Sequence, residues 1–317
     1  MRNSNHNERL DRIAVVGCGH VGATAAYSLL LGGVANEIVL IDANPRCAEG
    51  EAMDLQHAVP LARPARVWAG DYADAAGADI AVIAAGVGSR PGESRLDLLG
   101  RNVHIIRECV RGLLSAGFEG IVLMTTNPVD ILAQVAQAES GVPAGRVISS
   151  GTVLDTARLR SMLGERLGVE ARSIHAYVVG EHGDSEVAAW SSARIAGVPL
   201  KDYCAAAGAD VDFEELLRRV RGAAPEIIRH KGYTSTAIAS CVARICEAIL
   251  RDEHTVLPVS TLVTGQYGIE GVYLSLPCVV GREGVERVIE IPLDEEELAG
   301  LRASASVLKR TLAQVGS

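Results

Sequence analysis

Gly17-Cys18-Gly19-His20-Val21-Gly22 is the stretch that decides the fold of this 317-residue chain. It follows a short apolar run at 12–16 and opens a segment with helical spacing that reaches Leu31. A second apolar run, at 38–41, ends in Asp42, about 20 residues beyond the last glycine of the turn. A glycine-rich turn between a strand and a helix, followed by an acid at this distance, predicts a βαβ unit that binds a dinucleotide.

Each residue of this motif has its own physical reason. Gly17 permits the tight turn, Gly19 lets the backbone approach a pyrophosphate, and Gly22 lets the helix lie close to the strand. The helix N-terminus offers unpaired N–H groups and a partial positive charge to phosphates. A carboxylate at Asp42 would accept hydrogen bonds from the adenosine ribose and repel a 2′-phosphate, which favours NAD over NADP. The alternative, a βαβ unit that binds nothing, is the weaker interpretation.

The alternation of strands and helices continues through the first half. Strand-like runs at 65–69, 79–85 and 120–125 alternate with helical stretches at about 44–58, 95–116 and 129–138. Near-continuous apolar strands between helices predict a parallel sheet that is covered on both faces. Ligands gather at the C-terminal ends of such strands, where Asn127 and the glycine-rich loop 86–95 are placed. The length of that loop suggests a lid.

The second half has a different pattern. Helical stretches at 212–229 and 233–251 precede three strand-like runs, at about 255–264, 272–280 and 285–291, which glycine turns separate in the style of an antiparallel meander. We therefore predict an α/β protein with a doubly wound parallel-sheet (Rossmann) NAD domain at 9–149. An α+β substrate domain with antiparallel strands would follow at 150–317.

The candidate for acid–base chemistry is His182. An apolar run at 175–179 ends in Gly-Glu-His-Gly-Asp, whose glycines allow a sharp turn that leaves an imidazole at a strand end. Asp155 and Arg158 share one face of a helical stretch at 151–167. If that face meets the turn, Asp155 can hold the imidazole and raise its pKa, and Arg158 can offer a fork to a substrate carboxylate. The alternatives are a structural histidine and a surface i,i+3 ion pair.

Composition excludes several classes of function. The net charge of −9 and the pI near 5.4 argue against a nucleic-acid or anionic-membrane surface, and 3% aromatic residues argue against base stacking. There is no apolar run of transmembrane length and no signal-like N-terminal stretch. None of the seven cysteines forms a Cys-x-x-Cys pair, which favours reduced thiols over disulfides or zinc. We expect a cytoplasmic protein with no metal, membrane or nucleic-acid partner.

From about Arg12 to Gln314 the sequence resembles the family of NAD-dependent L-lactate and malate dehydrogenases, and within it the bacterial L-lactate enzymes. The motifs that carry the resemblance are G-C-G-H-V-G at 17–22, P-G-E-S-R at 91–95, T-N-P-V-D at 126–130, L-D-T-A-R-L-R at 154–160, G-E-H-G-D at 180–184 and K-G-Y-T-S at 231–235.

The resemblance implies a role for each matching residue. His182 corresponds to the proton donor and acceptor, Asp155 to its orienting carboxylate, and Arg158 to the bidentate anchor of the substrate carboxylate. Arg95 corresponds to the loop arginine that polarises the substrate carbonyl. The helix at 233–251 is expected near the cofactor. The other positions implied at the substrate are Asn127, Thr234 and Ser89, and those at the cofactor are Gly17, Gly19, Val21, Gly22, Asp42, Gly86, Asn127 and Ile238.

The implied reaction is the reversible reduction of pyruvate to (S)-lactate with NAD, a step of glycolysis and fermentation. Ser89 departs from the family pattern, because this position is typically glutamine in lactate enzymes and arginine in malate enzymes. A malate dehydrogenase that uses Arg90 and a broader L-2-hydroxyacid dehydrogenase with a roomier pocket therefore remain open. A non-catalytic NAD-binding protein is the alternative outside enzymology, but no residue of the catalytic set is lost.

The resemblance also raises regulation and assembly. Arg160 and His175 match positions that bind fructose 1,6-bisphosphate across a subunit interface in allosteric bacterial lactate dehydrogenases. The alternative places Arg160 in a surface ion pair and His175 in a packed strand. A homotetramer is expected from the family.

Overall fold

The computed structural model describes residues 10–88, 92 and 94–315, and of Arg95 and Val315 only the backbone. The strands of this part are β1 Arg12–Val16, β2 Glu37–Ile41, β3 Arg66–Ala69, β4 Ile80–Ile83, β5 Ile121–Met124, β6 Val147–Ser149, β7 Ile174–His175, β8 Val178–Val179, β9 Val187–Ala188, β10 Arg194–Ile195, β11 Val198–Pro199, β12 Thr255–Leu257, β13 Ser260–Thr264, β14 Glu270–Ser275, β15 Cys278–Gly281 and β16 Gly284–Val288. The helices are α1 His20–Gly32, α2 Pro45–Ala58, α3 Tyr72–Ala75, α4 Arg95–Ser115, α5 Val129–Ser140, α6 Val153–Leu167, α7 Leu200–Ala206, α8 Phe213–Lys231, α9 Thr236–Leu250 and α10 Glu295–Val315.

The main sheet has eight strands in the order β14-β13-β6-β5-β4-β1-β2-β3. The pairs from β3 to β6 are all parallel, as the near-continuous apolar runs predict. Each face of this sheet is covered by a separate apolar cluster, one that includes residues of α4 and α5 and one that includes residues of α1 and α9. The predicted α/β class with a doubly wound parallel sheet is confirmed. No described helix is long and apolar enough to span a membrane.

The glycine turn between β1 and α1 is fixed by steric contact. Gly17 has a φ of +97°, and a Cβ on Gly22 would lie 1.8 Å from the Gly17 carbonyl oxygen. A side chain at Gly22 is therefore excluded, because the helix begins in direct contact with the turn. A Cβ on Gly19, by contrast, would meet no heavy atom within 4 Å, so the backbone there faces open space.

The prediction of three meander strands is wrong. The segment 255–288 forms five strands, of which β13 and β14 extend the main sheet in antiparallel pairing, while β12, β15 and β16 form a separate sheet. Pro258 and Pro277 lie at the two points where the chain moves from one sheet to the other. Because proline has no N–H for a ladder, an apolar run cannot continue as one paired strand through it.

The predicted strand at 175–179 is also divided. Ile174 and His175 pair with β10, whereas Val178 and Val179 pair with β9. The main sheet contains strands from both sides of the predicted boundary at 149–150, because Ser149 of β6 pairs with Ser260 of β13. The division into units at 9–149 and 150–317 remains a prediction.

Candidate active site

Two hydrogen bonds hold His182 in the turn after β8. Its ring Nδ1 lies 2.6 Å from Asp155 Oδ2, and its backbone N–H donates to Asp130 Oδ2 at 2.9 Å. The turn itself is tied to the end of β14 by reciprocal backbone hydrogen bonds between Gly180 and Ser275. Since both the ring and the backbone are fixed, the second ring nitrogen, Nε2, points in one defined direction. A histidine presented in this way can transfer a proton to a bound ligand.

The surroundings of His182 favour its charged form. Burial of the ring opposes protonation, but the hydrogen bond and the negative charge of Asp155, followed by the charges of Asp130 and Glu186, outweigh burial and raise the pKa of His182 to about 9. Burial raises the pKa of the neighbouring Asp130 to about 6. At neutral pH the imidazole therefore carries the proton that a carbonyl reduction needs.

Asp155 also joins the histidine to Arg158. Its Oδ1 accepts a hydrogen bond from Arg158 Nη1 at 2.9 Å, while its Oδ2 faces His182. The two residues belong to α6, on the face that meets the histidine turn. Among the described residues this is the only hydrogen bond of the guanidinium, so its Nε and Nη2 remain for a ligand. Asp155 and Arg158, predicted to share one helix face, therefore form a three-residue unit with His182 and are not a solvent-exposed ion pair.

The nucleotide side of the molecule has donors and open space where the motif predicts them. No side chain caps the N-terminus of α1, and the backbone at Gly19 is open, so the helix dipole and N–H groups are available to phosphates. Asp42, at the end of β2, accepts hydrogen bonds from the backbone of Cys18 at 2.7 Å and of Asn44 at 2.8 Å. This fixes the carboxylate beside the turn. The residues present fit a dinucleotide.

Comparison with known proteins assigns both halves of the chain to one family. Residues 11–149 match the family model described as the lactate/malate dehydrogenase NAD binding domain, and residues 152–317 match the model of the alpha/beta C-terminal domain of the same family. The chain belongs to the lactate/malate dehydrogenase family. The first model also confirms NAD as the cofactor.

Members of this family resemble the chain over nearly its full length. The L-lactate dehydrogenase of Thermoanaerobacter sp. (strain X514) is 49% identical over 309 residues, which are 96% of this chain and 99% of that protein. The L-lactate dehydrogenase of Priestia megaterium is 49% identical over 302 residues, 95% of each chain. Among solved structures, the ligand-bound minor L-lactate dehydrogenase of Enterococcus mundtii has a TM-score of 0.94 and 41% identity, and covers 96% of this chain and 98% of its own.

The other described residues predicted for the dehydrogenase site lie at the C-terminal edge of the sheet, in α1, or in and just before α9. Asn127 is exposed after β5, and Gly86 follows β4. Thr234 is half-buried just before α9, and Ile238 lies in the first turns of that helix. Helix α9 packs against α1, which contains Val21. The ring of Tyr233 stacks on His20 at 3.8 Å, which joins the 231–235 loop to the phosphate turn.

The residues of the predicted lid are only partly described. Arg95 is the first residue of α4, and its side chain lies outside the description, as do Ser89 and Arg90 altogether.

The two predicted effector residues, Arg160 and His175, make different contacts. Arg160 donates from Nε to the Ala176 carbonyl at 2.9 Å, and its guanidinium lies 5.0 Å from the centroid of the Tyr177 ring. His175 is exposed in β7, where it pairs with Arg194.

Sequence reasoning missed two buried acids at the site. Asp130 holds the histidine turn through the backbone N–H of His182. Glu186 is buried beside Asp155 and His182, and one side-chain nitrogen or oxygen atom of each of the three residues lies within 4.8 Å of the other two. Asp130 lies in the apolar segment 129–136, and an acid in an apolar helix is a signal that it has a buried partner. Glu186 had no comparable signal, since it follows a polar turn.

Proposed function

We propose that this chain is an L-lactate dehydrogenase, which catalyses the reversible NAD-dependent reduction of pyruvate to (S)-lactate. The observation that carries the proposal is the His182–Asp155–Arg158 unit, in which one carboxylate holds a protonated imidazole at 2.6 Å and a guanidinium at 2.9 Å. A 2-oxo acid has a carbonyl and a carboxylate on adjacent carbons. An acid and a carboxylate anchor on a common support match that spacing.

Each residue contributes a distinct part of the chemistry. Arg158 binds the substrate carboxylate through its two remaining donor nitrogens, which places the carbonyl oxygen towards Nε2 of His182. NADH, held by the turn before α1 and by Asp42, would supply the hydride that the carbonyl carbon accepts. His182 gives its proton to the developing alkoxide, and Asp155 fixes the ring and stabilises its charged form. Arg95 at the start of α4 adds a second positive charge to the carbonyl oxygen when the lid closes and excludes water.

The proposed cofactor contacts follow the motif. Gly17, Gly19, Val21 and Gly22 hold the diphosphate at the N-terminus of α1, and Asp42 binds the adenosine ribose. From the family resemblance we assign Gly86, Asn127 and Ile238 to the nicotinamide, and Asn127, Thr234 and Ser89 to the substrate.

Substrate preference tests the lactate assignment. We expect kcat/KM for pyruvate to exceed that for oxaloacetate by at least about tenfold, because Ser89 offers no cation to a second carboxylate. We expect 2-oxobutyrate to be accepted, since serine leaves more room than glutamine. Steady-state kinetics with the three acids measures this. A tenfold preference for oxaloacetate would instead favour a malate dehydrogenase that uses Arg90.

Regulation by fructose 1,6-bisphosphate and assembly into a cytoplasmic homotetramer are proposals from the family resemblance. Arg160 and His175 lie near each other in the chain fold, since Arg160 binds the carbonyl of the residue after His175. If they bind the bisphosphate, its addition lowers the KM for pyruvate, and Arg160→Gln abolishes that response without changing the unactivated rate. An unchanged KM in the presence of the bisphosphate contradicts the proposal.

A further inference from the structure

Glu186 is a buried carboxyl group that the proposed mechanism does not use. It has 1% of its surface exposed and follows the histidine turn, immediately before β9. Its Oε1 is buried and has no hydrogen-bond partner among the described residues. The adjacent backbone is held, because Arg221 of α8 donates a hydrogen bond to the Glu186 carbonyl. The backbone at Glu186 is therefore anchored, and its carboxyl group is buried within the site.

The charged groups around Glu186 come from three elements. Asp155 and Arg158 belong to α6, Arg221 belongs to α8, and His182 lies in the same turn as Glu186 itself. Burial is the main reason why its pKa is raised, to about 8, and the negative charge of Asp155 raises it further, whereas the three cations oppose this. Each oxygen of Asp155 already accepts one hydrogen bond or faces one cation, Arg158 at Oδ1 and His182 at Oδ2.

We propose that Glu186 is a positioning residue that sets the pH at which His182 releases its proton. The inference rests on the proposed function of His182 as the proton donor. Below its own pKa, Glu186 is neutral and leaves the imidazole to the negative charges of Asp155 and Asp130. When Glu186 loses its proton, a second negative charge appears within 4.8 Å of His182 and strengthens its hold on the proton. The imidazole then remains charged to a higher pH.

The direction of this effect gives a specific test. Glu186→Gln keeps the size of the side chain and imitates the neutral acid at every pH. We expect the alkaline limb of kcat/KM for pyruvate to move to lower pH by about one unit in the variant, since a removed opposite charge at this distance is worth about that much. The rising limb for lactate oxidation should move by the same amount. Below pH 7 the two enzymes should agree within about twofold, because residue 186 is neutral in both.

Asp184→Asn is the matched control. Asp184 lies two residues before Glu186 in the same turn and is exposed, so its charge is screened by solvent and its removal should leave the profile in place. An alkaline limb that Glu186→Gln leaves within 0.2 unit (about the precision of such a profile), or moves upward, overturns the proposal. So does an equal loss of rate at all pH values, which is the sign of a merely structural residue.

A second measurement does not depend on the variant. In the wild-type enzyme, the ¹⁵N signals of the His182 imidazole, assigned by their loss in His182→Gln, should show two inflections as the pH rises. The first reports the ionisation of Glu186 and the second that of His182 itself. A single inflection contradicts the proposal. If the wild-type enzyme does not reduce pyruvate, the proposed function fails, and the imidazole titration still tests Glu186.

Discussion

His182→Gln is expected to lower kcat for pyruvate reduction by about 10²- to 10⁴-fold, the usual range for loss of a general acid. Glutamine has nearly the length of histidine, and its amide N–H can still donate to Asp155 Oδ2, which lies 2.6 Å from Nδ1 in the native site. The substitution therefore keeps the local packing and removes only the titratable proton. Stopped-flow or steady-state kinetics at neutral pH measures the loss.

The control is cofactor binding. The residues proposed to bind the cofactor lie around the turn before α1, after β2, β4 and β5, and in α9, and His182 is not among them. The Kd for NADH, measured by fluorescence, should therefore be unchanged in His182→Gln. Full activity with NADH binding intact would remove His182 from the chemistry and favour a protein that binds NAD for another purpose. Loss of activity together with NADH binding would indicate a damaged fold instead.

The first half of the fold could be predicted from the sequence because its rules are local. A side chain at Gly22 would lie against the Gly17 carbonyl oxygen, so the turn geometry itself requires glycine at position 22. The central strands are apolar except for Arg12 and Glu37 at the starts of β1 and β2, and they end within two residues of their predicted limits. Neither property depends on distant parts of the chain.

The second half could be predicted less well because its pairings are long-range. Ser260 of β13 pairs with Ser149 of β6. The residue pattern of neither segment indicates that strands from the C-terminal half join the main sheet. The prolines at 258 and 277 did carry a signal, since each interrupts a run that was assigned to one strand. Reading them as strand breaks would have given five strands.

The site shows the same division. The i,i+3 spacing of Asp155 and Arg158 fixed their common face, and only the resemblance brought His182, 27 residues away, to that face. Buried acids are harder to find, because burial is a property of the assembled fold. Glu186 follows a polar turn that carries no signal of burial, and its surroundings are completed by distant residues, Asp155 of α6 and Arg221 of α8.

Arg158→Gln is expected to lower kcat/KM for pyruvate by about 10³-fold, mainly through KM. Two charge-assisted hydrogen bonds to a carboxylate are worth about 1.5–3 kcal/mol each, so their loss together amounts to about 4 kcal/mol. Arg158→Lys keeps the charge but not the fork, and should recover part of the loss, to about 10–100-fold below wild type. Kinetics over a wide range of pyruvate concentration separates KM from kcat.

Arg158 also donates to Asp155 Oδ1 at 2.9 Å, so a role in supporting the Asp155–His182 pair has to be distinguished from substrate binding. Loss of support would leave the imidazole free to rotate and would lower kcat with KM nearly unchanged. Loss of the anchor raises KM and leaves the pH dependence of kcat in place, because Asp155 Oδ2 still holds Nδ1 of His182. A fall in kcat alone in Arg158→Gln would therefore show that the guanidinium acts through Asp155, and the substrate carboxylate would need another partner.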